Sequence, residues 1–164
     1  STVYVPSAGE AYQSLEYLNY VQPLGWYLRA LHAFFGNAMV FMLLCHLVQV
    51  VIFASYKYPR ELTWVFGVVL FLCVLAMAFS GQILRWDQDA YWGLGIGASM
   101  AGRIPILGPY VVHLMLGGPI IGGETLSRFF ALHVFVLPLT IAGVIFIHVM
   151  LVLKNGISDP PNVD

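Results

Sequence analysis

Four histidines lie in two long apolar stretches, and their spacing is the clearest chemical pattern in the chain. His32 and His46 are fourteen residues apart, and His133 and His148 are fifteen apart. On an α-helix these spacings correspond to rises of about 21 and 22 Å, and fourteen residues return to within roughly 40° of the same face. Two such helices facing each other would present two opposed imidazole pairs, one near each surface of a hydrocarbon layer about 30 Å thick. Two flat cofactors, each held through its metal by one pair, fit this arrangement.

The composition indicates that these helices cross a membrane. Hydrophobic residues make up 60% of the chain and charged residues 9%, and the mean hydropathy is +0.83. Three stretches lack Asp, Glu, Lys and Arg and are long enough to span: residues 30–56, 63–84 and 129–153. None alternates with a two-residue period, so helices are predicted rather than barrel strands. The prediction is one all-α integral membrane domain over residues 1–164, an antiparallel transmembrane helical bundle; the net charge of −1 gives no reason to expect nucleic acid.

Small residues accompany the histidines. The second span has no histidine but carries Gly67 and Gly81, fourteen apart, the same spacing as the first histidine pair. Glycine inside a helix costs about 1 kcal/mol relative to alanine, so this pair indicates close approach of a bulky group or tight helix packing. Gly36 lies between the histidines of the first span, where it allows a flat ring or another helix to approach. Cys45 and Cys73 are isolated and are interpreted as small packing residues.

The connecting segments also have predicted roles. Residues 85–128 form a long connection rich in glycine and proline, in which 91–100 and 110–116 are too short to span and suit interfacial helices. His113 lies in the second of these and is interpreted as a polar interfacial residue. Residues 9–20 form either a short interfacial helix or a surface loop.

Polar residues near the helix starts and one proline also have predicted roles. Arg29 precedes His32 by about one helical turn and can either reach water or pair with a haem propionate. Thr125 or Ser127 can cap the third span. Pro138 predicts a kink there, which would absorb the one-residue difference between the two histidine spacings.

Five segments are similar to those of a known family: GWYLRALHAFFGNAMVFMLLCH, KYPRELTW, SGQILRWDQDAYWG, ETLSRFFALHVFVLPL and IHVMLVLKNGISDPP. They resemble cytochrome b of the quinol-oxidising bc and b6f complexes, from the end of its first transmembrane helix onward. The histidine spacings, PRELTW and the NGISDPP tail look like the short split form, the cytochrome b6 type.

The resemblance implies a set of cofactor-binding residues. His32 and His133 would ligate the iron of a low-potential haem b, and His46 and His148 that of a high-potential haem b. The residues implied to shape these sites are Arg29, Gly36, Gly67, Gly81 and Arg128, the glycines giving the porphyrins room and the arginines lying near the propionates of the first haem. The side of Lys57, Arg60 and Lys154 would be the cytoplasm or stroma, and the long loop would face the periplasm or lumen.

The resemblance also implies function and partners. The chain would carry electrons between a quinol-oxidation site and a quinone-reduction site as a subunit of a quinol:cytochrome c or plastocyanin oxidoreductase. It would not be catalytic alone. Expected partners are quinol and quinone, a Rieske iron–sulfur protein, a cytochrome c1 or f type subunit, and a subunit supplying the C-terminal cytochrome b helices. The setting would be a dimeric complex in the lipid of a bacterial inner membrane or thylakoid.

Three departures from the family pattern qualify these expectations. The family's first helix is not among these residues, so we expect that they cannot close the four-helix haem bundle alone. Leu84-Arg85-Trp86 replaces Leu-Pro-Trp and puts a charge beside the expected quinol-oxidation pocket. Leu153 stands where the b6 form has a basic residue, and a third, covalent haem stays open. Apart from these three, the family's Pro-Glu-Trp-Tyr segment does not occur in the chain, so a partner subunit is expected to supply it.

Two alternatives remain at this stage. One is a dihaem membrane anchor of a dehydrogenase or hydrogenase, which would lack PRELTW and the long loop. The other is a haem-free membrane protein in which the histidines form a proton relay.

Overall fold

The structure, a computed structural model, describes residues 3–158, and in this part of the chain all regular secondary structure is helical, without strands. Seven α-helices and one π-helical turn follow in chain order: α1 (Ala11–Tyr20), α2 (Gly25–Ile52), α3 (Glu61–Ile83), α4 (Gln88–Ala101), α5 (Gly108–Leu116), α6 (Gly123–Ala131), the π turn (Leu132–Val136) and α7 (Leu137–Asn155). The all-α prediction is confirmed.

Three helices are long and apolar enough to cross a membrane: Gly25–Ile52, Glu61–Ile83 and the continuous Gly123–Asn155. They correspond to the three predicted spans, and successive spans run in opposite directions. The end of the bundle that holds the C-terminus of α3 is called the Leu84 end. The opposite end, where α3 begins, is called the Arg60 end. The first and third spans begin about half a dozen residues earlier than predicted because polar and aromatic residues outside the hydrocarbon layer continue the same helices.

The packing of the spans leaves a gap. α3 packs against both α2 and α7, but no Cα of α2 lies within 8 Å of a Cα of α6, the π turn or α7 in the described helices. Large apolar side chains along α2, the π turn and α7 are exposed, among them Phe34, Phe41, Phe135 and Phe146. In a membrane such surface meets lipid, a cofactor or another helix, so α2 and the third span can hold something between them.

The well-packed apolar cluster lies at the Leu84 end. It consists of Ile83, Leu94, Ala98, Leu116 and Phe129, contributed by the end of α3 and by α4, α5 and α6. The predicted interfacial helices are therefore present, as α4 and α5, and they form a packed cap. Protein burial is concentrated in this cap, where water would otherwise reach apolar surface, because lipid already solvates the spans.

Polar groups fix the ends of the cap helices. Asp87 begins α4 by accepting a hydrogen bond from the Ala90 backbone N–H at 2.9 Å. Buried Thr125 caps the third span as predicted, but from the third position of the helix, because the helix begins earlier, at Gly123, and its N-cap residue is Gly122. Its hydroxyl accepts from the Gly122 N–H at 3.1 Å and donates to the Leu116 carbonyl at 2.6 Å, which ties α6 to the end of α5.

The third span contains a π turn where a proline kink was predicted. Its closing backbone hydrogen bond joins the Leu137 N–H to the Leu132 carbonyl, and Pro138 follows within the first turn of α7. Fifteen purely α-helical steps would place His148 about 60° away from His133 around the axis. A π turn holds one extra residue, so it takes up the fifteenth residue of the spacing. The local irregularity is a wider turn of a continuous helix.

Residues 3–8, here called the N-terminal strap, lie across the Leu84 end. The Tyr4 hydroxyl donates to the Leu84 carbonyl at 2.9 Å, and its ring stacks on Phe130 with centroids 5.9 Å apart. The Trp86 indole N–H donates to the Ala8 carbonyl at 3.1 Å. Burial raises the pKa of Tyr4 to about 12. The strap leads into α1, so the predicted short helix is present over Ala11–Tyr20, two residues shorter than the predicted 9–20.

Candidate functional site

The structure brings His32 and His133 together at the Leu84 end. Their ring centroids are 6.0 Å apart and the ring planes are perpendicular. A metal between two imidazoles keeps the centroids roughly 6 to 6.5 Å apart, given metal–nitrogen bonds of about 2 Å. The two side chains come from α2 and the π turn, which make no backbone contact with each other in the described helices. This pair therefore bridges the gap between the two spans.

His133 is held in place by α3. Its Nδ1 lies 3.1 Å from the Met77 carbonyl oxygen and 3.0 Å from the Ser80 hydroxyl. Gly81 leaves room for the ring, since a Cβ built there would lie 2.6 Å from the His133 Cε1. Because a carbonyl only accepts, these contacts require Nδ1 to carry the proton. The lone pair of Nε2 is then free to bind a metal.

The second pair lies at the Arg60 end, where a cavity of about 410 Å³ is lined by His46, Gly67 and His148. A Cβ built on Gly67 would lie 3.2 Å from the His148 Cε1, so this glycine also faces an imidazole. The Nδ1 of His148 is buried and makes no hydrogen bond with the described residues. The Thr63 backbone approaches this ring, but short of hydrogen-bond geometry. The Nδ1 of His148 therefore lacks the hydrogen bonds that hold the Nδ1 of His133.

Contacts between the start of α3 and the segment after α7 form part of the wall of this cavity. Arg60 donates from Nε to the Gly156 carbonyl at 3.1 Å and from Nη2 to the Ile157 carbonyl at 2.9 Å. The hydroxyls of Ser55 and Ser158 lie 2.5 Å apart. Lys154 lies in the last turn of α7. Arg60 is the one Asp, Glu, Lys or Arg among the described residues that line the cavity of His46 and His148. His46 and His148 are here called the lower pair, and His32 and His133, at the Leu84 end, the upper pair.

The remaining predicted residues are placed as follows. Arg29 is half-buried near the start of α2, one turn before His32. Arg128 donates to the Leu114 carbonyl at 3.0 Å and packs over Gly117, so in this structure it holds the end of α5. Gly36 faces open space, with no atom within 4 Å of a Cβ built there.

The charge at Arg85 is compensated. Its guanidinium pairs with Asp87 at 2.5 Å and lies 3.4 Å from Asp89. Asp87 and Asp89 line a cavity of about 680 Å³ next to α4. The arginine that replaces the family's proline therefore forms an ion pair with the carboxylates that follow it. His113, in α5, is exposed, as expected of an interfacial residue.

Two groups in contact with the histidines were not singled out from the sequence: Ser80 and the Met77 carbonyl. The available signal was a hydroxyl directly before Gly81 in an otherwise apolar span, at the position equivalent to Phe66 before Gly67. A backbone carbonyl leaves no such signal.

Comparison with known proteins identifies the family. The family model Cytochrome b/b6/petB matches residues 1–156. The chain belongs to the cytochrome b family. It is 41% identical over 157 residues to a cytochrome b6 of Prochlorococcus marinus strain MIT 9211, covering 96% of this chain and 72% of that protein. A cytochrome b6 of strain MIT 9515 is 40% identical with the same coverage.

The fold agrees with this assignment. A solved chain of a hyperthermophilic respiratory Complex III superposes with a TM-score of 0.91 and 31% identity. The match covers 99% of this chain and 44% of that one, so the chain spans less than half of that Complex III subunit. The resemblance to cytochrome b is thereby confirmed in sequence and in structure, and so is the membrane setting of the helices.

Membership of the cytochrome b family implies haem, and the histidine pairs fit such a group. No cluster of three or more His, Cys, Asp or Glu that could hold a metal ion occurs in residues 3–158. A porphyrin supplies four nitrogen ligands itself, so two protein ligands on opposite faces are sufficient. Each pair offers two imidazoles, and each has a glycine of α3 in direct contact with one of them. These features suit flat macrocycles more than bare ions.

Proposed function

We propose that the chain is a dihaem cytochrome b subunit of a quinol:cytochrome c or plastocyanin oxidoreductase. The observation that carries the proposal is the pair of histidine sites, one at each end of the same gap between α2 and the third span. His32 and His133 would hold one haem b, and His46 and His148 the other. Bis-imidazole haems supply one-electron redox chemistry without an open position for oxygen or substrate.

The protein would position these groups and exclude water from them. Met77 and Ser80 hold His133 with Nε2 free, and Gly81 gives its ring space. At the other end, Gly67 does the same for His148. The apolar spans surround both pairs, and a low-dielectric setting makes every fixed charge nearby more effective on a redox potential. Arg60 is such a charge at the lower pair.

The orientation and partners form part of the proposal. The Arg60 end would face the cytoplasm or stroma, and the cap of α4 and α5 the periplasm or lumen. Quinol oxidation would take place near the cap and quinone reduction near the Arg60 end. A Rieske iron–sulfur protein, a cytochrome c1 or f type subunit and a subunit with the C-terminal cytochrome b helices would complete a dimeric complex in a bacterial inner membrane or thylakoid.

The test is a pyridine haemochrome assay with a redox titration of the purified complex, normalised to this chain. We expect two b haems per chain with separate midpoint potentials. His148→Leu should remove one haem and leave the other, and His133→Leu should remove the complementary one. Cys45→Ser, which changes a side chain beside His46 without touching a ligand, serves as the control and should keep both.

The results that would refute the proposal are clear-cut. Absence of b haem in the wild-type complex would return the histidines to a proton relay. Two haems that both survive His133→Leu and His148→Leu would show that these residues are not ligands.

A further inference from the structure

The two histidines of the third span have different surroundings although the helix that faces them repeats. α3 carries Ser80-Gly81 opposite His133 and Phe66-Gly67 opposite His148, fourteen residues apart. At the upper site the serine hydroxyl lies 3.0 Å from the ring Nδ1. At the lower site a phenylalanine stands in its place, and the ring Nδ1 is buried without a hydrogen bond.

The Ser80 hydroxyl is placed to accept from His133. Ser80 is only 2% exposed, and its hydroxyl donates to the Met77 carbonyl at 3.0 Å. With its hydrogen directed to Met77, the oxygen offers its lone pairs to the Nδ1–H of His133. The same N–H also faces the Met77 carbonyl at 3.1 Å. These three groups form a closed set in which every donor has an acceptor.

We propose that Ser80 is a positioning residue for His133. Its hydrogen bond to the ring lowers the midpoint potential of the haem at the Leu84 end relative to that of the haem at the Arg60 end. The inference rests on the proposed function. A hydrogen bond that Nδ1–H donates makes the imidazole a stronger electron donor through Nε2. A stronger donor stabilises the oxidised iron more than the reduced iron, so the potential falls. His148 lacks the bond and exerts no such effect.

The test compares the redox titrations of purified complexes carrying Ser80→Ala, Ser80→Thr and Ser80→Cys. In Ser80→Ala we expect one haem to become easier to reduce, with a change in its reduced-to-oxidised ratio of up to about tenfold at fixed potential, or 59 mV for one electron. Ser80→Thr keeps the hydroxyl and should titrate like wild type. Ser80→Cys keeps a weaker hydrogen-bonding group and should give an intermediate shift.

A matched control removes a hydroxyl elsewhere in the membrane spans. Thr140 donates to the Val136 carbonyl at 2.8 Å and is exposed, away from Ser80. Thr140→Val should leave both potentials unchanged. The affected haem is assigned by repeating Ser80→Ala with His148→Leu, where the shift should persist in the one haem that remains.

The outcomes separate the two proposals. If wild type does not contain two b haems, the proposed function fails before this inference is reached. If two haems are present and Ser80→Ala moves neither, or moves both equally, Ser80 is an ordinary packing residue. An equal shift in Ser80→Thr would also overturn the inference, because the threonine hydroxyl preserves the bond.

Discussion

A methyl group added at Gly81 probes how tightly the chain holds His133. A Cβ at this position would lie 2.6 Å from the His133 Cε1, which is 0.8 Å short of the 3.4 Å at which ordinary contact begins. At Gly67 the corresponding distance is 3.2 Å, a shortfall of 0.2 Å. Gly81→Ala should therefore disturb the upper histidine more than Gly67→Ala disturbs the lower one.

The magnitude follows from the bonds that the displaced ring would lose. A movement of 0.8 Å along its hydrogen bonds would lengthen the contacts with Ser80 and Met77 from 3.0 and 3.1 Å to 3.8 and 3.9 Å. Two hydrogen bonds are worth about 1–3 kcal/mol in total. The higher helix propensity of alanine offsets about 1 kcal/mol of this loss. Loss of ligand orientation lowers metal affinity by about 10–100-fold.

The assay is haem content per chain, resolved by potential, in complexes carrying Gly81→Ala, Gly67→Ala and Gly143→Ala. Gly143 is the control because a Cβ there meets nothing within 4 Å. We expect partial loss of the Leu84-end haem in the first variant, a smaller effect on the other haem in the second, and full haem content in the third. Equal haem content in all three would show that the glycines do not accommodate the imidazoles.

Three further predictions concern the contacts around the two sites. Tyr4→Phe should destabilise the Leu84 end by about 1 kcal/mol through loss of the bond to the Leu84 carbonyl. Folding raises the pKa of Tyr4 from about 10 to about 12, so the contribution of its hydroxyl to the free energy of unfolding should be complete below pH 10 and disappear as pH rises toward 12. The melting temperatures of the wild type and the variant should therefore converge over that range. Arg60→Gln should weaken the attachment of the segment after α7 by about 1 kcal/mol and speed amide exchange there, while Arg60→Lys recovers little because its single nitrogen lacks the rigid fork with which Nε and Nη2 reach two carbonyls. Unchanged exchange would show that this attachment does not depend on the Arg60 side chain. Thr125→Val should reduce the free energy of unfolding by about 1–3 kcal/mol, because the Leu116 carbonyl in the cap loses the hydrogen bond from the Thr125 hydroxyl. Thr125→Ser keeps the hydroxyl and should be near wild type; an equal loss in both variants would point to packing of the methyl group.

The sequence predicted the spans and the pairing of histidines well, for a physical reason. Membrane helices must be apolar and hydrogen-bonded internally, so their positions appear directly as charge-free runs. The helical repeat then converts the fourteen-residue spacings of His32 with His46 and Gly67 with Gly81 into shared faces. Gly67 and Gly81 meet His148 and His133 because α3 and the third span are antiparallel neighbours.

What the sequence could not provide depends on backbone detail and on register between helices. The π turn around His133 is a detail of backbone winding, for which Pro138 indicated only a kink. The bond between Ser80 and His133 depends on the register of α3 against the third span. Thr125 was predicted as a cap of the third span, and its hydroxyl accepts from the backbone N–H of the N-cap residue Gly122, but from the third position of a helix that begins at Gly123.

The gap between α2 and α7 has a consequence for the steady-state amount of the protein in the cell. These helices have no backbone contact of their own to hold them together in the described chain, so under the proposed function ligand binding supplies that closure. Binding stabilises a folded chain in proportion to the logarithm of free ligand over its dissociation constant. A chain left empty exposes its spread helices to membrane proteases, and the steady-state amount of the subunit should then follow the haem supply rather than the rate of its synthesis.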